Sequence, residues 1–217
     1  MRLLMRIFLS SVLLLLTVSA LAWFYWYKPK FKPAPGGKSF SLHKEPDNKK
    51  AMERLRLKAA AAADFVKQGH FNSEYCFLVD MRIESGKRRF FVYNLQTDSV
   101  EKSGLVTHGT GSDKGEELYF SNTPNSNCTS LGKYRIGKPY YGKFGLAYKL
   151  YGLENSNSKA FERFVVLHSH SCVPAGEVYP VPICESWGCP TVAPAFLQEL
   201  KGYIDNSSKP ILLWIYY

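Results

Sequence analysis

The sequence predicts a mainly β protein, a β-sandwich or partly closed barrel with flanking helices, preceded by an N-terminal hydrophobic helix. From residue 70 onward, short runs rich in β-branched and aromatic residues alternate with Gly, Asn, Ser and Pro, which is typical of many short strands. Helical patterns are few and lie at the margins of this region. With 46% hydrophobic and 15% aromatic residues among 217, the chain can bury one substantial core.

The first 28 residues are either a cleaved signal peptide or a transmembrane anchor. The 21 residues between Arg6 and Lys28 carry no charge, and as a helix they would be about 31 Å long, enough to cross a bilayer. The same stretch has an Ala-x-Ala cleavage pattern at residues 20–22, as signal peptides do. Lysines after the stretch outnumber the arginines before it and favour the opposite orientation. Because long domains cross membranes largely regardless of flanking charge, we expect the rest of the chain to be exported.

The net charge of +10 is concentrated near the N-terminus. Residues 1–60 contain 12 of the 28 Lys and Arg residues but only 3 of the 18 Asp and Glu residues, so the remainder is almost neutral. A nucleic-acid partner is therefore not expected, because such proteins carry a basic face on the folded domain. The positive segment is instead expected to lie next to a membrane that contains anionic lipids.

A basic linker rich in Pro and Gly over residues 29–46 leads into an amphipathic helix over residues 47–69. Five apolar residues recur at spacings of three and four and form one stripe: Met52, Leu55, Ala59, Ala62 and Val66. We expect this stripe to pack on the following domain. A helix that binds a partner or lies on a membrane is the alternative.

Residues 70–217 are predicted to form the folded domain. Residues 75–80 and 89–93 flank a turn that contains Ser and Gly, and they predict a β-hairpin. Further strands are expected at residues 104–108, 118–120, 133–136, 146–151, 164–168 and 211–217, and one more helix at residues 194–203.

Cys189 and His168 are the candidate catalytic pair. Cys189 follows Gly188, and His168 ends an apolar, β-like run. A histidine beside a thiol can take up its proton and stabilise the thiolate, which is the reactive nucleophile. Gly188 permits a sharp turn that brings backbone N–H groups towards a developing oxyanion. His170 lies on the same face as His168 if the strand continues, and it is the alternative base.

The five cysteines leave one thiol unpaired in an oxidising compartment, which agrees with one nucleophile and up to two disulfides. Cys172 and Cys184 both lie in the loop before Cys189, and a bridge between them would fasten that loop. The sequence leaves the connectivity open, including that of Cys76 and Cys128. A zinc site built from Cys172, Cys184, Cys189 and a histidine is the rival use of these side chains. Without a Cys-x-x-C pair, we expect no metal and no other cofactor.

Several phrases carry a resemblance and follow one another along the chain: residues 89–93, 108–112, 120–126, 130–132, 142–145, 165–168 and 186–190. Together they resemble the L,D-transpeptidase (YkuD-type) catalytic domain, and more narrowly the murein L,D-transpeptidase catalytic domain family. The resemblance covers about residue 70 to the C-terminus and leaves out the N-terminal stem and the first helix. It implies an L,D-transpeptidase-like fold.

The pattern of this family is a histidine followed, after a gap, by Ser/Thr-His-Gly-Cys. Here 17 residues separate His168 from Ser186, and Trp187 stands where the second histidine of the family is found. The resemblance therefore implies Cys189 as the nucleophile and His168 as its base, with Gly188 beside the nucleophile. The residues expected to border or contact the substrate are Ser186, Trp187, His170 and His108.

The resemblance implies an enzyme that acts on the stem peptides of peptidoglycan. Cys189 would form an acyl-enzyme from a tetrapeptide stem with release of D-Ala, and would pass the acyl group to an amine acceptor to make 3-3 cross-links. The alternatives are a cysteine L,D-carboxypeptidase or hydrolase of the same bonds, and a catalytically degenerate, membrane-tethered peptidoglycan-binding protein. Carbapenem-type β-lactams are the expected inhibitors. The expected location is the periplasm or the outer face of the bacterial inner membrane.

Overall fold

The structure is a computed structural model that describes residues 5–6, 15–21, 45–115 and 117–217. Residues 15–21 are helical, but most of the predicted signal peptide or anchor at 1–28 and nearly all of the linker at 29–46 lie outside the described residues. Within the described ranges, no helix combines the length and the hydrophobicity that crossing a membrane requires. The chain divides into two compact units, Met1–Lys44 and Glu45–Tyr217, and the second carries all the elements named below.

Helix α1 spans Glu45–Gln68 and packs through the apolar stripe that the sequence predicts. Four of the five stripe residues are buried, and only Met52, near the start of the helix, is exposed. The buried residues join side chains of the β-sheet in one hydrophobic cluster. Arg54 adds an ion pair across this contact, 2.9 Å from the fully buried carboxylate of Asp80. The helix is therefore part of the folded domain.

The strands are β1 (Tyr75–Asp80), β2 (Phe90–Asn94), β3 (Ser99–Gly104), β4 (Gly132–Gly142), β5 (Gly145–Gly152), β6 (Val166–Ser169), β7 (Thr191–Val192) and β8 (Leu212–Tyr216). Helix α2 spans Pro194–Asp205. The eight strands form one mixed sheet in the order β3-β2-β1-β8-β4-β5-β6-β7. β1 and β2 make the predicted antiparallel hairpin, and β8 runs parallel to β1. A mainly β fold with flanking helices is thus confirmed, as one open sheet instead of the two packed sheets of a sandwich.

The central strands are buried on both faces of the sheet. In β1, Phe77 and Val79 belong to the cluster that includes residues of α2, whereas Cys76 and Leu78 belong to the cluster with α1. This alternation follows from the two-residue period of a strand. Because a helix covers each face, β1 has a continuous apolar sequence in place of an alternating one.

The two edges of the sheet approach each other near the start of β7. Val106, just after β3, forms a bridge with Val192, and the Thr107 N–H donates to the Thr191 carbonyl oxygen at 2.9 Å. The sheet therefore curls without closing as a regular barrel. This curl brings the segment after β3 beside β7 and the residues just before it.

Some strand predictions differ from the structure. The sequence predicts strands at residues 104–108 and 118–120, whereas Val106 and Leu118 form isolated bridges. Conversely, β3 carries mostly exposed polar side chains, so its sequence lacks the apolar pattern of a strand. Its pairing with β2 comes from the backbone hydrogen bonds of an edge strand.

Candidate active site

Cys189 lies at the end of a tight turn, two residues before β7. Ser186 fixes this turn, because its N–H donates to the His108 carbonyl oxygen at 2.9 Å and its hydroxyl donates to the Cys189 carbonyl oxygen at 2.6 Å. The Gly188 N–H donates in turn to the Ser186 hydroxyl oxygen at 3.1 Å. The Ser186 side chain therefore holds the backbone that presents the thiol.

Gly188 is required by the shape of this turn. It has φ = +104°, and a Cβ at this position would lie 2.6 Å from the Cys128 carbonyl oxygen. Any other residue would be strained in this conformation and would clash with that backbone. Because the Gly188 N–H is engaged by Ser186, the prediction that it faces an oxyanion does not fit this geometry. Its contribution is to the conformation of the turn.

The Cys189 thiol is half-buried and donates to the Phe164 carbonyl oxygen at 3.7 Å. Phe164 has φ = +55°, which is uncommon for an aromatic residue, and its side chain is 83% exposed. Burial raises the pKa of Cys189, while a hydrogen bond with the Val166 backbone and the charge of Arg163 act to lower it. Near neutral pH the resting residue is therefore a thiol.

His168 is buried in β6, directly opposite Thr191 of β7 in the sheet register. Its Nδ1 lies 3.1 Å from the Ser169 carbonyl oxygen, which can only accept, so Nδ1 carries the proton. Nε2 is then the basic nitrogen, and it accepts from the Thr191 hydroxyl at 3.0 Å. Burial lowers the pKa of His168, although the Ser169 carbonyl opposes this shift. The ring also stacks on Phe144, with centroids 5.0 Å apart, so its orientation is restrained.

Thr191 contacts the side chain of His168 and the backbone of Cys189. Its hydroxyl contacts Nε2 of His168, and the same oxygen lies 3.4 Å from the Cys189 carbonyl oxygen. Nε2 has one lone pair, so it can take the thiol proton only after its hydrogen bond with Thr191 breaks. Catalytic hydrogen bonds often form only once the substrate is bound. The arrangement is thus a neutral thiol and a neutral base whose Nε2 is engaged by Thr191.

Two cavities meet at the nucleophile. Both are lined by Cys189, His168 and Trp187; one has a volume of about 190 Å³ and extends to Glu185, and the other has a volume of about 480 Å³ and extends to Arg163. We call them the Glu185 cavity and the Arg163 cavity. Cys189 therefore borders both cavities.

The other predicted site residues differ in their surroundings. His170 and Ser186 line the Glu185 cavity, and His170 is exposed, with Nδ1 accepting from the Cys172 N–H at 3.2 Å. Trp187 is 75% exposed between the two cavities. His108 is buried behind Ser186, which it contacts through its own carbonyl oxygen. The structure thus brings most of the predicted residues together and places His108 in the layer behind them.

Cys172 and Cys184 form a disulfide with their Cα atoms 6.1 Å apart. This bridge fastens the loop between β6 and the turn that carries Cys189, and it answers the question of connectivity that the sequence leaves open. Cys76 and Cys128 are buried free thiols, and burial raises the pKa of Cys76 to about 12. The alternative of a zinc site is wrong for Cys172 and Cys184, because sulfurs joined in a disulfide are not available as thiolate ligands.

Arg163 is a site residue that the sequence patterns do not indicate. Its guanidinium donates to the carbonyl oxygens of Ser121 at 3.0 Å and Cys128 at 2.6 Å, and to the Ser130 hydroxyl at 3.1 Å. It therefore ties the segment 121–130 to the loop before β6 and places a positive charge near Cys189. An arginine just before an apolar run gives no local signal of this role.

A family model described as L,D-transpeptidase catalytic domain matches residues 46–216. No curated protein is significantly similar to the chain. Similar solved structures include an L,D-transpeptidase from Mycobacterium smegmatis, with 13% identity and a TM-score of 0.39 over 66% of this chain and 59% of that chain. The helical cell shape determining protein Pgp2 from Campylobacter jejuni has 12% identity and a TM-score of 0.41 over 70% of this chain and 54% of that chain.

A third similar structure is that of the Ldtfm-avibactam carbamoyl enzyme, with 11% identity and a TM-score of 0.43 over 66% of this chain. The chain spans 49–59% of the lengths of these three structures. The range that the family model matches takes in nearly all of the second compact unit, including α1, which the resemblance in the sequence leaves out. Since this range is well over half of the sequence, the chain belongs to the L,D-transpeptidase catalytic domain family.

Proposed function

We propose that this protein is an exported peptidoglycan L,D-transpeptidase with Cys189 as its nucleophile. The observation that carries the proposal is the placement of this thiol. Cys189 ends a turn braced by Ser186, lies where two cavities meet, and shares both cavities with the neutral base His168. All of these residues fall within the range that matches the family.

The first half-reaction would cleave the bond before the terminal D-Ala of a tetrapeptide stem. Nε2 of His168 takes the proton of Sγ, and the thiolate of Cys189 attacks the carbonyl carbon of that bond. When the tetrahedral intermediate collapses, the C–N bond breaks and D-Ala leaves with the proton that His168 returns. The product is a thioester between Cys189 and the shortened stem.

The second half-reaction would transfer the acyl group to the amine of another stem. The amine nitrogen attacks the thioester carbonyl, the C–S bond breaks, and the thiol of Cys189 is restored. A 3-3 cross-link is the result. Attack by water at the same thioester would give the carboxypeptidase or hydrolase activity instead, so the acceptor decides between these two reactions.

The location and inhibitors of the enzyme follow from the same chemistry. Peptidoglycan lies outside the cytoplasmic membrane, so the enzyme must work in the periplasm or at the outer membrane face, with residues 1–28 as its signal peptide or anchor. A carbapenem-type β-lactam presents a strained amide to the same thiolate and would acylate Cys189. Neither step calls for a metal or another cofactor.

The test is a product assay with purified muropeptides that carry tetrapeptide stems. The full-length protein is expected to release D-Ala and to form cross-linked dimers, which mass spectrometry separates from monomers. The Cys189→Ala variant should lose all turnover, because no other described free thiol borders the two cavities.

The matched control is Cys76→Ala, which removes a buried thiol on the opposite side of the domain core, against α1. It should retain dimer formation. Release of D-Ala without dimers would show the hydrolase. Turnover that survives in Cys189→Ala would contradict the proposal, as would muropeptide binding by the wild-type protein without any turnover.

A further inference from the structure

An acidic pair lies at the end of the Glu185 cavity. Side-chain ligand atoms of Glu185, Asp113 and His108 lie within 4.8 Å of one another. Glu185 and Asp113 are exposed, whereas His108 is only 6% exposed. Asp113 also accepts from the Gly115 N–H at 3.0 Å, which fixes its carboxylate in its own loop. Two carboxylates and a buried imidazole thus face the same small volume.

The tautomer of His108 is set by Arg89. A guanidinium nitrogen of Arg89 lies 3.0 Å from Nδ1 of His108, and since a guanidinium can only donate, Nδ1 accepts. The proton of the neutral ring therefore lies on Nε2. Burial and the charge of Arg89 lower the pKa of His108 to about 4, so the ring is neutral near pH 7.

Nε2 of His108 is aimed at the acidic pair. It is buried, it lies 3.5 Å from Oε1 of Glu185, and within the described part of the chain it has no hydrogen-bond partner. A buried donor without a hydrogen-bond partner is destabilising, so its position needs an explanation. A Glu185 carboxylate drawn towards Nε2 when a cation binds in front of it would satisfy this donor.

The tautomer of His108 excludes its Nε2 as a ligand of a metal ion. A metal would need the lone pair of Nε2, which in turn requires the proton on Nδ1, and a metal-bound histidine normally donates through its other nitrogen. Here Nδ1 accepts from Arg89 instead. Two carboxylates beside an N–H donor can bind a cation that brings its own hydrogens, and the amine acceptor of the proposed reaction is such a cation when it is protonated.

Glu185 is held in place from both sides along the chain. The preceding residue, Cys184, is joined to Cys172 by the disulfide, and the following residue, Ser186, is bonded through its N–H to the His108 carbonyl at 2.9 Å. A binding group that is fixed in this way loses little freedom when the ligand arrives. Burial raises the pKa of Glu185, and Asp113 raises it further through its charge and a side-chain hydrogen bond.

We propose that Glu185, supported by Asp113 and oriented by His108, binds the primary ammonium group of the acyl acceptor. The inference rests on the proposed function and adds to it the side chains that bind the amine acceptor. Because Glu185 lines the Glu185 cavity, the acceptor enters there, and the Arg163 cavity is left to the donor stem.

The transfer step balances with these groups. The ammonium gives one proton to the Glu185 carboxylate and so exposes the nitrogen lone pair. The C–N bond forms as the C–S bond of the thioester breaks. A second proton passes from nitrogen to the departing Cys189 sulfur, the third stays on the new amide, and Glu185 releases its proton to solvent.

The experiment compares two nucleophiles with the Glu185→Gln variant of the full-length protein. The acyl-enzyme is formed on a tetrapeptide muropeptide, and transfer is measured to Nα-acetyl-lysine amide, which carries an ammonium, and to hydroxylamine, which is neutral near pH 7. We expect the variant to form the acyl-enzyme at the wild-type rate and to transfer to hydroxylamine normally. Transfer to the lysine amine should fall by about tenfold or more, the equivalent of about 1.4 kcal/mol of lost binding.

Asp113→Asn should have the same selective effect to a smaller degree, and Glu199→Gln, on α2 outside the cavity, should have none. Equal loss with both nucleophiles, or no loss with either, would overturn the inference while leaving the transpeptidase intact. The absence of any acyl-enzyme on the wild-type protein would overturn the inference together with the proposed function.

Discussion

At the scale of single residues, Cys189 and His168 are both held in their neutral forms. Burial raises the pKa of the thiol and lowers the pKa of the imidazole, so each shift disfavours the thiolate–imidazolium pair. The charge of Arg163 works in the opposite direction on Cys189. Cys189 is therefore a thiol at rest, and in the proposed mechanism its proton can pass to His168 only after the hydrogen bond between His168 and Thr191 breaks.

This balance predicts how Cys189 is alkylated as the pH changes. Because its pKa lies above the ordinary value, the rate with iodoacetamide should still rise above about pH 8.5, where a free cysteine is already half ionised. Arg163→Gln removes a charge that lowers the pKa of Cys189, so the increase in alkylation rate should move to higher pH. The rate near pH 7 should fall by a few-fold. Peptide mass mapping at each pH measures the modification at Cys189 alone.

Arg163→Lys is the matched control, since it keeps the charge but loses the forked hydrogen bonds to Ser121 and Cys128. It should retain most of the wild-type pH profile. If the lysine and glutamine variants shift alike, the effect of Arg163 is on the loop conformation and not on the charge at the thiol.

The sequence could predict the candidate catalytic residues, because cysteine and histidine are uncommon residue types at their positions. Cys189 after Gly188, and His168 at a strand end, stand out in the sequence alone. Glu185, Thr191 and Arg163 are ordinary surface or strand residue types, and their roles depend on which distant segment faces them. The segments that face these residues are determined by the register of the strands and by the paths of the loops. Local sequence does not encode either of them.

At the scale of elements, α1 belongs to the folded domain, although it lies before residue 70. Its apolar stripe follows the helical period and is therefore readable in the sequence, as are β1 and β2 with their turn. The edge strand β3 could not be predicted in this way, because its side chains are mostly exposed and polar. The helix is a structural part of the domain, which agrees with a family match that begins at residue 46.

This assignment predicts that Leu55→Ala lowers the free energy of unfolding by about 2–5 kcal/mol, because Leu55 is 1% exposed in the contact between α1 and the sheet. Urea denaturation of the full-length protein measures the change. Leu57→Ala, two residues along the same helix and 67% exposed, should change it by less than about 0.5 kcal/mol. Similar values for the two variants would mean that α1 does not pack on the sheet in solution.

At the scale of the whole molecule, the site is a product of long-range pairing. β8, from the end of the chain, inserts between β1 and β4, and β7 lies beside β6 at the far edge. The curl of the sheet then brings Thr107 against Thr191, so that residues from three distant parts of the sequence meet around Cys189. Sequence patterns indicate most of the strands, but strand order depends on contacts between segments far apart in the chain, and it could not be derived from them.

The charge distribution fits the same overall scheme. Most of the excess positive charge lies within residues 1–60, and residues 61–217 are close to neutral. A basic stem of this kind would favour the proposed location next to an anionic membrane surface. The acidic pair at Glu185 and the cation at Arg163 then give the two sides of the site opposite local charge.

The role of Cys189 as nucleophile is tested most directly by the intact mass of the full-length protein after brief incubation with a tetrapeptide stem. We expect a covalent adduct equal to the peptide less its terminal alanine, located on Cys189 by peptide mapping and lost on treatment with a thiol or hydroxylamine. The Cys189→Ala variant should show no adduct. An adduct on any other residue, or release of D-Ala by Cys189→Ala, would contradict the assignment of Cys189 as the nucleophile.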